Sequence, residues 1–415
     1  MATAAEENKG MLASVRLAVA PLKEWNFAFL MGGRVTSNMG RNMRVFARAW
    51  LVLELTNSPF LLGLVTSSLS FPMLVMPFIG GVLADRIDRR KLVIFTEFAL
   101  VVLWAATSLV ITLGWIEWWH LMVTSVLSGI IQSIGRPGHH AMVGSVVSKE
   151  QLASAAAIDS VADHWPRAIG LLVATLLIAS IGTEGLFWFT AILQLFTALS
   201  LLPMRWKPQP MEEAKKQTVR GSFIEGINYV KGEPVIIGMV LVAIAATLFS
   251  GASFLMPIFA RDILGVGAQG LGTLMLSSTL GVSIGAAATM ALANYHRRGM
   301  VLVIGTLLAT AFSIGFALST VFYLSIALTF FMGLFQTMRG TTVEMLMQLL
   351  ATNEMRGRVM SLRVAIQGFS WIGVLMLGAL AEVAGAANTM LIGASVSGLV
   401  AIVIFLVMPQ IGRFR

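Results

Sequence analysis

The chain alternates between long apolar runs and short polar segments. A helix needs about 20 mostly apolar residues to cross the hydrocarbon core of a bilayer, and each run is about that long or longer. The pattern predicts twelve spans: 26–53, 58–84, 91–113, 119–146, 152–181, 185–203, 234–260, 268–293, 300–318, 321–349, 357–383 and 388–409. We therefore predict an all-α membrane protein with twelve transmembrane helices.

The long polar connection 204–233 divides these spans into six and six. We predict two six-helix bundles, 25–203 and 234–409, joined by this loop. Residues 1–24 read as an amphipathic lead-in on the membrane surface, and residues 410–415 as a short tail.

Lysine and arginine in the connecting segments lie almost entirely on one side of this topology. The side that holds both termini has nearly all of them, whereas the other side has Arg261. Positively charged loops stay in the cytoplasm, so the bias predicts a multi-pass protein of the cytoplasmic (inner) membrane with both termini cytoplasmic.

The composition supports a membrane protein and argues against several kinds of site and partner. The chain is 57% hydrophobic and 12% charged, against about 25% charged residues in soluble proteins. The absence of cysteine excludes disulfides and thiolate metal sites. The net charge of +9 is not gathered into basic runs with aromatic residues, so we expect no nucleic-acid partner. No hydrolase, zinc-protease or P-loop motif occurs, which argues against an enzyme, and we expect no cofactor.

The first span carries four arginines, Arg34, Arg41, Arg44 and Arg48. At 100° per residue they fall within an arc of roughly 80°, with Asn38 near the same face. An arginine at the bilayer centre costs about 2.5–3.5 kcal/mol even on a lenient scale. This face should therefore look into protein or a water-filled cavity. The alternative for each single arginine is a structural pair with a carboxylate or an anchor at the interface.

The two halves of the chain repeat. The tetrapeptide 129–132, Gly-Ile-Ile-Gln, matches 333–336, Gly-Leu-Phe-Gln, and an arginine follows each within four residues, Arg136 or Arg339. Parallel six-helix repeats are typical of transporters, with the substrate at the repeat interface near the midplane. Gln132 and Gln336 thereby join the arginines as candidate substrate-binding residues.

The segment 81–91, Gly-Val-Leu-Ala-Asp-Arg-Ile-Asp-Arg-Arg-Lys, resembles the loop 2–3 signature of the major facilitator superfamily, G-x-L-x-D-R-x-G-R-R, with Asp88 in place of a glycine. Segments 255–260 (Leu-Met-Pro-Ile-Phe-Ala) and 356–362 (Arg-Gly-Arg-Val-Met-Ser-Leu) resemble the enterobactin-exporter-like branch, the transmembrane secretion effectors. The resemblance covers essentially the whole chain. It implies the major facilitator fold, with spans 1, 4, 7 and 10 around a central cavity, and an ion-driven exporter of small molecules, usually coupled to protons.

The same resemblance implies a cytoplasmic gate in the loop 2–3 segment. Its residues are Gly81, Asp85, Arg86, Arg89 and Arg90. Asp85 is the carboxylate that helps to clamp the two halves in the superfamily. The alternative is that this segment is only a topology signal.

Span 5 places Asp159, Asp163 and Arg167 at i, i+4 and i+8, on one face. Asp163 can pair with Arg167, and such a pair is either a structural lock or an acid that takes up a proton when the cavity opens. Glu344 in span 10 is a second candidate proton carrier, with a plain charge at the rim as its alternative.

Arginine outnumbers the acids in these candidate spans, so the cavity should favour an anion, since guanidinium forks suit carboxylate and phosphate. We expect a monomer in the lipid bilayer that moves an organic anion in exchange for protons. A multidrug exporter and a non-transporting receptor on a transporter fold remain as alternatives, and import is open beside export. We also expect alanine at Arg41 or Arg44 to abolish transport in a protein that still folds.

Overall fold

The structure is a computed structural model, and it describes residues 19–84, 89–148, 151–204, 229–230, 232–249, 252–292, 297–352 and 355–413. Every regular element in these ranges is helical. The first bundle contains α1 (Trp25–Thr56), α2 (Pro59–Ala84), α3 (Arg89–Thr112), α4 (Trp118–Ser145) and the stretch Leu152–Ser200, which Gly182 divides into α5 (152–181) and α6 (183–200).

The second bundle begins with α7, whose described parts are Pro234–Phe249, the 3-10 turn Ala252–Leu255, Met256–Ile258 and the π-helical turn Phe259–Ile263. The helices that follow are α8 (Gly267–Ala291), α9 (Arg298–Leu318), α10 (Phe322–Leu350), α11 (Arg356–Gly368 and Ser370–Ala384) and α12 (Ala386–Val407). Short helical turns at Ala20–Lys23 and Gln410–Arg413 flank the twelve helices.

Two glycines make equivalent turns in the two halves. Gly182, with φ 66°, separates α5 from α6, and Gly385, with φ 82°, separates α11 from α12. Both values lie in the left-handed region, which only glycine enters without steric cost. A reversal of the chain at these points explains why each long apolar stretch becomes two antiparallel spans.

Seven helical stretches in the described ranges are long and apolar enough, by length and composition, to cross a membrane. They are Arg90–Thr112, Ser154–Ser200, Pro234–Ile263, Gly267–Ala291, Arg298–Leu318, Arg356–Ala384 and Ala386–Val407. The stretch Ser154–Ser200 holds two spans because Gly182 breaks it. Helices α1, α4 and α10 are not among the seven, and they carry most of the polar candidate residues.

The sequence repeat appears as a repeated helix contact. A Cβ on Gly129 of α4 would lie 2.7 Å from the Leu69 carbonyl oxygen of α2, and a Cβ on Gly333 of α10 would clash with the Ser278 carbonyl oxygen of α8. Only glycine permits backbones to approach this closely. The α2–α4 and α8–α10 pairs are therefore packed in the same way.

The described residues pack the two bundles together near one end of the helices. We call the end where α1 begins and α12 ends the terminal face, and the opposite end the distal face. One buried cluster near the distal face draws on both bundles, for example Phe46 and Leu171 with Phe259 and Leu377. Near the terminal face each bundle has its own cluster, one around Phe27 and Leu30 and the other around Met239 and Leu346.

Polar contacts between the bundles also lie at the distal face. Arg261 donates from Nη1 to the Leu53 carbonyl oxygen at 2.9 Å and contacts Asn57. Glu382 accepts from the Ser58 hydroxyl at 2.7 Å and from the Phe60 amide at 2.9 Å. The described residues thus hold the two bundles together at the distal face.

Candidate functional site

An ion-pair ladder joins α1 to α5. Arg34 Nε lies 2.8 Å from Asp159 Oδ1, and Arg34 Nη2 lies 3.9 Å from Asp163 Oδ1. Asp163 also accepts from Arg167 Nη2 at 2.5 Å, one helical turn along α5. The Asp163–Arg167 pair is the one that the i, i+4 spacing predicted. The partner of Asp159 is Arg34, which spacing within one helix could not identify.

Asn38 connects the same two helices beside this ladder. Its Nδ2 donates to the Ala162 carbonyl oxygen of α5 at 3.0 Å, and its Oδ1 accepts from Arg41 Nη2 at 2.8 Å. Asn38 is buried and Arg41 is only half-buried. Among the α1 arginines, Arg34 and Arg41 are half-buried, whereas Arg44 and Arg48 are buried.

Arg44 points into the first bundle, toward α3 and α6. It donates from Nη1 to the Thr190 carbonyl oxygen at 3.2 Å and from Nη2 to Gln194 Oε1 at 3.1 Å, and it lies 4.6 Å above the ring of Trp104. Gln194 Nε2 in turn donates to Glu97. Arg44 and Glu97 are both buried, so the amide of Gln194 relays hydrogen bonding between two buried charges of opposite sign.

Arg48 is also buried, and it donates from Nη1 to the Ser125 hydroxyl of α4 at 2.9 Å. The four arginines of α1 thus share one broad face, as their spacing predicts, but contact different neighbours: Arg34, Arg44 and Arg48 contact other helices, whereas Arg41 contacts Asn38 of α1. A cavity of about 70 Å³ lies beside Arg34, Arg41 and Arg44, and about 10–15 Å³ of such volume holds one water. Its lining includes Arg34, Asn38, Arg41, Arg44, Gln132 and Asp163.

The second bundle contains two adjoining cavities, of about 300 and about 350 Å³. Both are lined by Gln336 and Arg339 of α10, by Gln367 of α11 and by Thr247 of α7. Arg363 of α11 lines the first of them. Gln132 and Gln336, which are equivalent in the sequence repeat, therefore line cavities in their respective bundles.

Glu344 lies on α10 one turn beyond Arg339 and is half-buried. It is close enough to Arg363 to interact with it electrostatically. Candidate acids therefore accompany arginines in both bundles, with Asp159 and Asp163 in the first and Glu344 in the second.

Several predicted residues lie partly or wholly beyond what the structure describes. Asp85 and Arg86 are outside the described residues. Gly81, Arg89 and Arg136 belong to helices α2, α3 and α4, and their side chains are outside the description. Arg90 is described, and it donates from Nη2 to the Leu202 carbonyl oxygen at 2.8 Å, which ties the start of α3 to the end of α6.

Comparison with known proteins identifies the family. The model of the transmembrane secretion effectors matches residues 16–412, almost the entire chain. The protein is a transmembrane secretion effector of the major facilitator superfamily. The resemblance that the sequence motifs indicated is thereby confirmed.

Curated relatives of this transmembrane secretion effector include the enterobactin exporter EntS of Shigella boydii serotype 4 and of Escherichia coli O139:H28. Each is 26% identical over 374 residues, which cover 87% of this chain and 86% of the relative.

Solved structures with the same fold include a bacterial homologue of the human lysosomal transporter Spinster in an inward-facing and occupied conformation (12% identity, TM-score 0.75, 94% of this chain and 97% of that one) and the nucleoside transporter NupG (13% identity, TM-score 0.71, 92% and 98%). The predicted fold class, twelve transmembrane helices in two six-helix bundles, is confirmed.

This transmembrane secretion effector is accordingly a multi-pass membrane transporter, and its family and structural neighbours are transporters rather than enzymes. The geometry also adds three site residues that sequence reasoning passed over. They are Glu97, Gln194 and Arg363. The signal for Arg363 is that it lies within the predicted span 357–383, where a charged residue is unusual.

Proposed function

We propose that this transporter exports a small organic anion across the cytoplasmic membrane by alternating access, in exchange for protons. The observation that carries the proposal is that each bundle has a cavity lined by arginine. The two bundles are held together at the distal face. The bias of lysine and arginine supports a cytoplasmic terminal face. The name of the enterobactin-exporting relatives supports the export direction.

Arginine suits this task because its guanidinium presents several donors in one plane to a carboxylate or phosphate. Arg41 in the first bundle and Arg339 in the second are the candidates for substrate contact, with Gln132 and Gln336 as neutral partners. In this proposal Arg34, Arg44 and Arg48 hold the first bundle together. Asp85 and its neighbours in the loop 2–3 segment serve as the cytoplasmic gate.

Proton coupling is assigned to Asp159 and Asp163, with Glu344 as the counterpart in the second bundle. Asp159 and Asp163 share Arg34, so protonation of either acid weakens the contact between α1 and α5. We assign proton coupling to these two acids because a proton on either one changes how α1 packs against α5.

The direct test uses proteoliposomes with an acidic lumen. We expect enterobactin or another organic anion, added as single compounds and as a small-molecule extract of the source organism, to accumulate inside and to be detected by mass spectrometry. Accumulation should collapse when the pH gradient is dissipated. Accumulation of tetraphenylphosphonium with no anion would instead identify a cation exporter, and accumulation of nothing from the extract would favour a receptor.

The coupling residues have a separate test. We expect Asp163→Asn to abolish accumulation driven by the pH gradient while leaving exchange of substrate across the membrane at equal pH, because the carboxamide keeps the shape but cannot carry the proton. Glu184→Gln is the matched control, since Glu184 is exposed near the distal face and contacts Thr112. Equal gradient-driven accumulation in both variants would remove Asp163 from the coupling mechanism.

A further inference from the structure

Arg363 differs from Arg44 of the first bundle in how its donors are satisfied. Its Nε and Nη1 are buried, and neither has a hydrogen-bond partner among the residues that the structure describes. In the first bundle, by contrast, Arg44 is held by a carbonyl, an amide and an aromatic ring. A buried donor without a partner is costly, and more so when it is charged.

The place of Arg363 in the second bundle indicates what can interact with its guanidinium group. Arg363 lines the cavity of about 300 Å³ together with Arg339, Gln336 and Gln367. Two guanidinium groups and two carboxamides therefore converge on one space, and Glu344 is the acid whose charge acts on Arg363. Arg339 is itself buried, so the low local polarity strengthens any interaction with an anion.

The same cavity also has apolar lining residues. Val242, Ala243 and Ala246 of α7 are among them, with Val282 of α8 and Val343 of α10. Pockets of about 300–1,000 Å³ with an apolar lining and a few convergent polar groups are typical of small-molecule sites. The lining therefore offers charged and carboxamide groups together with apolar side chains.

We propose that Arg363 and Arg339, with Gln336 and Gln367, form the subsite for the charged group of an amphipathic organic anion, and that α7 receives its apolar part. The charged group is a carboxylate or a phosphate, which present the same acceptor oxygens to guanidinium. This inference rests on the proposed transport of an anion, and it places the principal anion contact in the second bundle rather than on α1. Arg363 then exchanges an electrostatic interaction with Glu344 for one with the substrate.

The test uses the purified full-length protein in detergent, with thermal unfolding as the readout, because a ligand that binds only the folded state raises the transition temperature. The probes are phenyl phosphate and phenylacetate, with 2-phenylethanol as the uncharged analogue. We expect at least one anion to stabilise the native protein in a concentration-dependent way, and 2-phenylethanol not to. Failure of both anions to stabilise the native protein, or equal stabilisation by the alcohol, would overturn the proposal.

Arg363→Gln should weaken binding of the stabilising anion by about tenfold or more, since it removes a charge-assisted hydrogen bond. Arg363→Lys should retain part of the affinity. Arg356→Gln is the matched control on the same helix, because Arg356 is exposed and donates to the Gln348 carbonyl oxygen at 3.0 Å, and it should bind as the native protein does. Gln367→Ala is a second variant of the subsite if Arg363→Gln does not fold.

Unchanged affinity in Arg363→Gln and Gln367→Ala would overturn the subsite. The two proposals fail in different ways. If anions accumulate in proteoliposomes while Arg363→Gln binds and transports normally, this subsite is wrong and anion export stands. If the native protein accumulates no organic anion, the proposed function is wrong, whatever the binding assay gives.

Discussion

Arg44→Ala is expected to prevent stable folding rather than to abolish transport in a folded protein. The substitution removes the donors to Thr190 and Gln194 and the stacking on Trp104, and it removes a buried positive charge that Gln194 links to the buried carboxylate of Glu97. Breaking a buried pair by removing one partner costs about 3–5 kcal/mol. We expect a much lower yield of monodisperse protein and a lower transition temperature in detergent.

This prediction differs from the one made from the sequence, which treated Arg41 and Arg44 as equivalent. The structure distinguishes them by burial, since Arg41 is half-buried and contacts Asn38. Arg41→Ala should fold normally and impair transport, and it serves as the control for Arg44→Ala. The double variant Arg44→Ala/Glu97→Ala removes both charges, and it should be more stable than the sum of the two single effects by about 0.5–3 kcal/mol. Additive effects would show that the Arg44–Gln194–Glu97 relay is not an energetic unit.

Gly378→Leu is expected to open the distal face. The bundles approach closely where Gly63 of α2 meets Gly378 of α11, since a Cβ on Gly378 would lie 3.2 Å from Gly63 Cα and 3.3 Å from the Pro59 carbonyl oxygen. A larger side chain forces the backbones apart, and overpacking of this kind costs about 1–3 kcal/mol. A penalty of that size, applied only to the closed distal face, shifts the two conformations by about 5- to 150-fold.

The absence of native cysteine makes this shift measurable without background labelling. A cysteine introduced at Ser253, which lines the larger cavity, should react with a membrane-impermeant maleimide from the distal side faster in Gly378→Leu than in the otherwise native protein. Gly357→Leu is the matched control, since Gly357 lies at the terminal end of α11 with open space around its Cα. Equal labelling rates in the two variants would mean that this glycine contact does not hold the distal face closed.

The hydrophobic pattern predicted the fold because a bilayer leaves few options. Backbone groups in hydrocarbon must be satisfied within a helix, so each apolar run becomes one span, and the positions of Gly182 and Gly385 confirm where two of these spans end. The internal repeat was also visible in the sequence. In the structure, Gly129 and Gly333 occupy equivalent helix contacts, and Gln132 and Gln336 line cavities in the two bundles.

Pairs of side chains on different helices could not be predicted from the sequence. The i, i+4 rule identified Asp163 with Arg167 because both lie on one helix. The rule could not predict the pair of Arg34 and Asp159, because these residues lie on different helices and are far apart in the chain. Glu97, Gln194 and Arg44 lie on three different helices. Nothing in the sequence around each residue indicates that they are partners.

The sequence by itself therefore determined that this protein spans a membrane, that it is built from two related six-helix halves, and that arginines occupy positions where lipid cannot accept them. Only the tertiary structure decided which arginines are held by structural partners and which line a cavity with donors that lack a partner among the described residues. The physical reason is that periodicity along one helix fixes the direction of a side chain, whereas its partner depends on the depth and rotation at which the neighbouring helices pack.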